Sequence, residues 1–227
     1  MIAFLFDMDG TLVHSMPFHI RAWMQLLGEL GMQMTPEEFL RQTSGRTNRQ
    51  ILQDVLRTPL SDVETEALAE RKEALYRSLY RPHLQPIAGL VDFLNEARRL
   101  HLPMAVATAA GKANRDFVLE GLGIESYFSV VVGVEDVQHG KPHPEIFLKA
   151  AERLGVAPGN CLVFEDALAG IEAACRAGMR AVALATSVDA REFQRLPAVI
   201  RVVEDYTSLR PQSLLEALGP PLPSRWS

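Results

Sequence analysis

The sequence predicts an α/β fold: a parallel sheet with helices on both faces, and a small all-helical domain inserted after the first strand. Two observations carry this. Near-continuous apolar runs recur at "IAFLF", "PMAVAT", "SVVVGV", "CLVFED" and "RAVALA", each beside a segment of helical periodicity. Unalternated runs of this kind suit parallel strands that are covered on both faces. Between the first run and the second, from about residue 16 to residue 80, only helical pattern occurs. A strandless block within an alternating β/α chain reads as an insert.

Taken in order, "IAFLF" is the first strand and ends on two acids, Asp7 and Asp9, in "DMDGT". The helical block follows as "PFHIRAWMQLLGELG", "TPEEFLRQTSG", "TNRQILQDVL" and "LSDVETEALAERKEALYRSLY". Its exits are "VHSMP" and "RPHLQPIAG", and the prolines of the second suit a stiff two-way hinge. These boundaries give a core domain from residues 1–15 and 83–227 and a helical domain from residues 16–82. The four later strands alternate with helices, and right-handed crossovers would wind those helices over both sheet faces. The tail "LGPPLPSRWS" is expected to be loosely held.

The 227 residues, 48% hydrophobic and 22% charged, are enough to bury a real core. A formal net charge of −5 and the absence of any Lys/Arg run argue against a nucleic-acid surface or electrostatic membrane docking. No apolar stretch reaches the roughly 18 residues of a membrane span, and no basic leader precedes the first strand, so a cytoplasmic enzyme is expected. Cys161 and Cys175 lie in apolar sequence and read as packed thiols of a reducing compartment. A monomer is the default expectation.

Ligands of parallel α/β sheets bind beyond the carboxyl ends of the strands. Four such ends carry unusual chemistry: Asp7 and Asp9 after "IAFLF", Thr108 after "MAVA", Lys141 in "HGKPHPEIF", and Glu165 with Asp166 after "CLVF". Carboxylates next to buried strands need a cation or donors to stay ionised. An oxygen-rich cluster of this kind suits a hard ion, most naturally Mg²⁺, with Asp7 and Asp166 as direct ligands. With the charge offset by Mg²⁺ and Lys141, a small phosphorylated metabolite can approach and Asp7 can attack phosphorus in line. Asp9 would then move protons, and Thr108 would hold phosphoryl oxygens. Each feature also has a bland reading, as a turn, a helix cap or a surface lysine. Four such accidents at four strand ends are harder to accept than one site.

The strand followed by "DMDGT", with Thr108, Lys141 and "FEDALAGI" in this order, resembles the haloacid dehalogenase (HAD) superfamily, in particular its phosphatase and β-phosphoglucomutase-like branch. The resemblance implies a Rossmann-like core and a mobile helical cap. It makes Asp7 the nucleophile of an aspartyl-phosphate intermediate, and Asp9 the acid/base whose backbone carbonyl also ligates Mg²⁺. Glu165 and Asp166 would complete the metal site, while Thr108 and Lys141 would bind phosphate. The acid at Asp9 separates the chain from dehalogenases and phosphonate hydrolases of similar scaffold. In the cap, "HIRAW" places His19, "AERKEALY" places Lys72, and "SGRTNRQIL" offers Gly45, Arg46 and Arg49 as substrate-binding positions. Ala109, directly after Thr108, joins that set. Packed or solvated side chains are the alternative for each cap residue, and Trp23 reads as cap core. The expected reaction is hydrolysis of a small phosphate monoester such as a sugar phosphate. The runner-up is β-phosphoglucomutase, interconverting β-glucose 1-phosphate and glucose 6-phosphate; an idle phosphate sensor is disfavoured because every residue the chemistry needs is present.

Overall fold

The computed structural model describes residues 1–43, 47–56 and 60–219. Its backbone divides into two compact units, Met1–His14 with Leu84–Ser227, and Ser15–His83.

The first unit is built on a six-stranded sheet, with β1 (Ala3–Phe6), β2 (Met104–Ala107), β3 (Val130–Val132), β4 (Cys161–Glu165), β5 (Arg180–Leu184) and β6 (Val199–Val203). All pairings are parallel and the order is β3-β2-β1-β4-β5-β6. This doubly wound order reverses direction beside β1, so the carboxyl end of β1 lies where ligands of such sheets bind. The predicted α/β class and five predicted strands are present. The sixth, β6, is an edge strand carrying the exposed Arg201, which breaks the apolar run that marks the others.

Residues of β1 alternate between two packed faces. Ala3 and Leu5 join Ala105, Ala107, Val163 and Ala181 in a core with Ile146 and Phe147 of α7 (Glu145–Leu154) and Ile171 of α8 (Leu168–Arg176). Phe4 and Phe6 point the other way, where Phe6 stacks on Phe164 at 4.5 Å and Phe4 on Phe93 at 5.9 Å. Phe93 belongs to α5 (Leu90–Arg99), which buries Leu90, Phe93, Leu94 and Ala97, the i, i+3, i+4, i+7 stripe of an amphipathic helix. That helix starts at Gly89, whose φ of 78° and a would-be Cβ only 2.6 Å from the Thr207 backbone nitrogen leave room for glycine alone. The unit is completed by α6 (Lys112–Leu122), α9 (Ala190–Phe193) and α10 (Pro211–Ala217).

The second unit is all-helical: α1 (Met16–Glu29), α2 (Pro36–Thr43), α3 (Asn48–Leu56) and α4 (Asp62–Tyr80). Its own core joins Trp23, Leu26, Leu27, Phe39, Ile51, Leu52 and Val55, which gives Trp23 the packing role its sequence suggested. A capping box fixes the start of α4: the Glu64 N–H donates to Ser61 Oγ at 3.3 Å, and the Ser61 N–H to Glu64 Oε2 at 2.9 Å. Among the described residues no helix is long and apolar enough to cross a membrane.

Candidate active site

Asp7 directly follows β1, and Glu165 ends β4 beside it; the register Phe6↔Phe164 makes the two acids neighbours on adjacent strands. The Asp7 N–H donates to the Phe164 carbonyl at 2.9 Å, extending the ladder one residue past β1. The chain then turns sharply, with the Leu12 N–H donating to the Met8 carbonyl at 2.8 Å and the Gly10 N–H to the Val13 carbonyl at 2.7 Å. Half-buried Asp9 sits in this turn. Gly10 adopts a φ of 78°, and a Cβ there would run into the Asp166 carboxylate. "DMDGT" is thus a glycine-dependent turn that stacks acids at one strand end.

Lys141 arrives from the segment before α7 and places its ammonium between two of these acids. It donates to Asp7 Oδ1 at 2.6 Å and to Glu165 Oε2 at 2.8 Å. All three side chains are nearly buried, at 11%, 9% and 2% exposure. Carboxylate oxygens of Asp7, Glu165 and Asp166 all lie within 4.8 Å of one another. Burial raises the Asp7 carboxyl, against the opposing charge of Lys141. Burial and then the Asp7 charge push Glu165 up to about 8. Asp166 is pushed up to about 7 by the same two causes, with the Ser187 hydroxyl opposing them. Burial alone would lower Lys141, but Asp7 and Glu165 together raise it, so it stays an ammonium. One ammonium faces three buried acids, too little positive charge to keep all of them ionised, and their raised values follow from that shortfall. An all-oxygen donor set in that condition fits a hard divalent cation.

Thr108 is buried just beyond β2, the neighbour of β1 on the other side. Its Oγ1 accepts the Ala110 N–H at 3.2 Å, and Ala109 is exposed between them. The following loop is braced by buried Arg115 of α6, which donates to the Ala110 carbonyl at 2.8 Å and to Glu135 Oε2 at 2.8 Å. Lys112 instead points to solvent and pairs with Asp116 at 2.6 Å. His14 is exposed.

Two residues of this rim escaped the sequence reading. Ser187 donates a hydrogen bond to the Asp166 carboxylate, and Thr186 Oγ1 donates to the Gly10 carbonyl at 2.5 Å. Both stand just past β5 in "RAVALATS". The rule that singled out the other strand ends, applied to the fifth apolar run, finds them.

The helical unit gathers two of its predicted positions and separates a third. His19 stacks on Tyr76 with centroids 3.7 Å apart, and its Nδ1 lies 2.7 Å from Lys72 Nζ. Lys72 also donates to Glu73 Oε1 at 2.9 Å, as does Asn48 Nδ2 at 2.6 Å. Only 3% exposed, the Lys72 side chain brings its ammonium within 5.6 Å of the Trp23 ring centroid. Arg49 is exposed and paired with Asp62. Gly45 and Arg46 lie outside the described residues. Of the cysteines, Cys161 is buried and its thiol is pushed up to about 12 by burial, consistent with packing rather than chemistry.

A buried aspartate is held against a lysine, with two further carboxylates and a threonine, at the switch point of a doubly wound sheet, a make-up compatible with phosphoryl transfer. Residues 4–184 match the family model described as haloacid dehalogenase-like hydrolase, and the chain belongs to that family. It is 39% identical over 180 residues to the fructose-1-phosphate phosphatase YqaB of Escherichia coli K12, covering 78% of this chain and 93% of that one. It is 30% identical over 182 residues to a phosphorylated carbohydrates phosphatase of Thermotoga maritima, covering 80% and 84%. Among solved structures, the β-phosphoglucomutase of Clostridium difficile superposes with a TM-score of 0.81 at 28% identity, covering 96% and 97%. The chain is an enzyme of the family's phosphatase type.

Proposed function

We propose that the protein is a Mg²⁺-dependent phosphatase of small phosphate monoesters, with sugar phosphates as the substrate class. The observation that carries this is the Lys141 ammonium, 2.6 Å from Asp7 and 2.8 Å from Glu165, inside a trio of carboxylates. Asp7, Glu165 and Asp166, with the Asp9 backbone carbonyl, would hold the ion. Bound there, Mg²⁺ supplies the positive charge that lets a phosphate dianion approach carboxylates.

The steps on this chain's own residues follow from their placement. Asp7 attacks phosphorus and the ester P–O bond breaks, with Asp9 donating a proton to the leaving oxygen. The acyl phosphate on Asp7 is then attacked by water, from which Asp9 takes a proton; phosphate leaves and both side chains are restored. Lys141 and Thr108 hold the phosphoryl oxygens through both halves, and Ala109 lies beside them on the substrate side. Substrate choice is assigned to the helical unit, with His19, Arg49 and Lys72 as the residues to test.

The relatives that act on fructose 1-phosphate and on phosphorylated carbohydrates support the sugar-phosphate class. The similarity to β-phosphoglucomutase keeps a mutase as the second reading, because the two reactions share the first half and differ only in the acceptor. The deciding experiment supplies β-glucose 1-phosphate, a bisphosphate primer and Mg²⁺, and follows glucose 6-phosphate and free phosphate together. Phosphate release from a sugar phosphate is expected. Isomerisation without release would reverse the order of the two readings.

A further inference from the structure

Two of the chain's six histidines, His139 and His143, flank Lys141, and Glu145 opens α7 two residues further on. Nδ1 of His139 lies 3.1 Å from Glu145 Oε2 and Nδ1 of His143 lies 3.8 Å from it. The imidazole centroids are 4.5 Å apart, and one ligand atom from each of the three residues lies within 4.8 Å of the others. The histidine side chains are 61% and 48% exposed, so a hydrated ion can reach them. The carboxylate is already oriented: the Gln138 and His139 N–H groups donate to its two oxygens, each at 3.0 Å.

We propose that His139, His143 and Glu145 form a second metal site, selective for a borderline divalent transition ion of the Zn²⁺ type. The ligand chemistry separates it from the carboxylate trio. Imidazoles with one carboxylate suit Zn²⁺, Co²⁺, Ni²⁺ or Cu²⁺, with water completing the shell, whereas Mg²⁺ favours all-oxygen donors. An ion held there would tie residue 139 to residues 143 and 145, closing the segment that carries Lys141 into a ring. The site needs no participation from the reaction chemistry and stands or falls apart from the proposed activity.

The test is a titration of the whole protein with Co²⁺ near neutral pH, with saturating Mg²⁺ holding the carboxylate trio. One equivalent is expected to bind with the visible absorption of a nitrogen-ligated ion and to be displaced by Zn²⁺. His139→Gln and His143→Gln should each weaken binding at least about tenfold, the typical scale for losing a ligand or its support. A visible band that survives in the double variant would overturn the site, as would none in the parent protein. Histidine NMR of the unmodified protein decides the matter without variants. Zn²⁺ should move the His139 and His143 resonances and leave those of exposed His14 and His101 in place. Equal shifts at all four would mean adventitious binding and would refute the proposal.

Discussion

Replacing Lys141 by methionine keeps the volume of the stem and removes the one ammonium shared by Asp7 and Glu165. Breaking a buried ion pair by deleting one partner costs about 3–5 kcal/mol, because the remaining charge is left in low dielectric. In a chain of this length each kcal/mol lowers the melting midpoint by about 2–4 °C, so Lys141→Met should melt about 6–20 °C lower in chelator. The loss must also depend on pH. Glu165 and Asp166 have folded-state values raised to about 8 and about 7, and the Lys141 charge is among the influences holding them down. A carboxyl raised in the fold retains its proton there. Its stabilising effect is complete below its unfolded value and is lost as pH climbs to the raised one. Near pH 5 Glu165 and Asp166 are largely neutral and the deficit should shrink to the part owed to the Asp7 pair; near pH 8, where Asp166 is mostly ionised and Glu165 about half, it should be larger. Calorimetric melting of both proteins across that range is the assay. A deficit below about 2 °C near pH 8, or one equal at both pH values, would refute the electrostatic account of the site.

The same charges make further demands. Asp7→Asn should abolish turnover without loss of fold, as judged by circular dichroism and melting, and substantial residual hydrolysis would sink the nucleophile assignment. Apparent Mg²⁺ affinity, measured by calorimetric titration, should rise with pH up to about 8, because protons compete for Glu165 and Asp166. A flat profile would mean that the ion does not use these acids. Ser187→Ala removes the hydroxyl that opposes the upward shift of Asp166. Hydrogen bonds to charged groups contribute about 1.5–3 kcal/mol, so Mg²⁺ binding below about pH 7 should weaken by about tenfold or more. At higher pH, where Asp166 is ionised in either protein, the difference should narrow.

The fold was legible because buried parallel strands announce themselves as unbroken apolar runs. β1, β2 and β4 are buried along their whole length, and each reads clearly. β6 did not read, since as an edge strand it tolerates exposed Arg201 in the middle of its run. The acids and lysine of the core were legible for a related reason: a charge at the end of such a run is expensive unless partnered, and that expense is visible in one dimension. Ser187 and Thr186 carry no charge, so nothing in their chemistry draws the eye. Only the position at a strand end distinguishes them from ordinary turn residues.

The helical unit shows where that logic stops. In "AERKEALY", Lys72 stands among charged neighbours on a polar-looking helix, the pattern of a solvated face. In the fold it is 3% exposed, with Glu73 and His19 on its ammonium and Trp23 and Tyr76 against it. Helical periodicity reports which side of a helix is apolar, but a lysine buried by aromatic stems and a paired acid carries no such mark. The consequence reaches the chemistry. A Lys72→Ala change would leave Glu73 short of a cation and open a gap beside Trp23, so lost activity alone could not assign Lys72 to substrate. Comparing KM and kcat with the melting midpoint of the same variant separates the two effects, since a packing role moves the midpoint whether or not substrate is present.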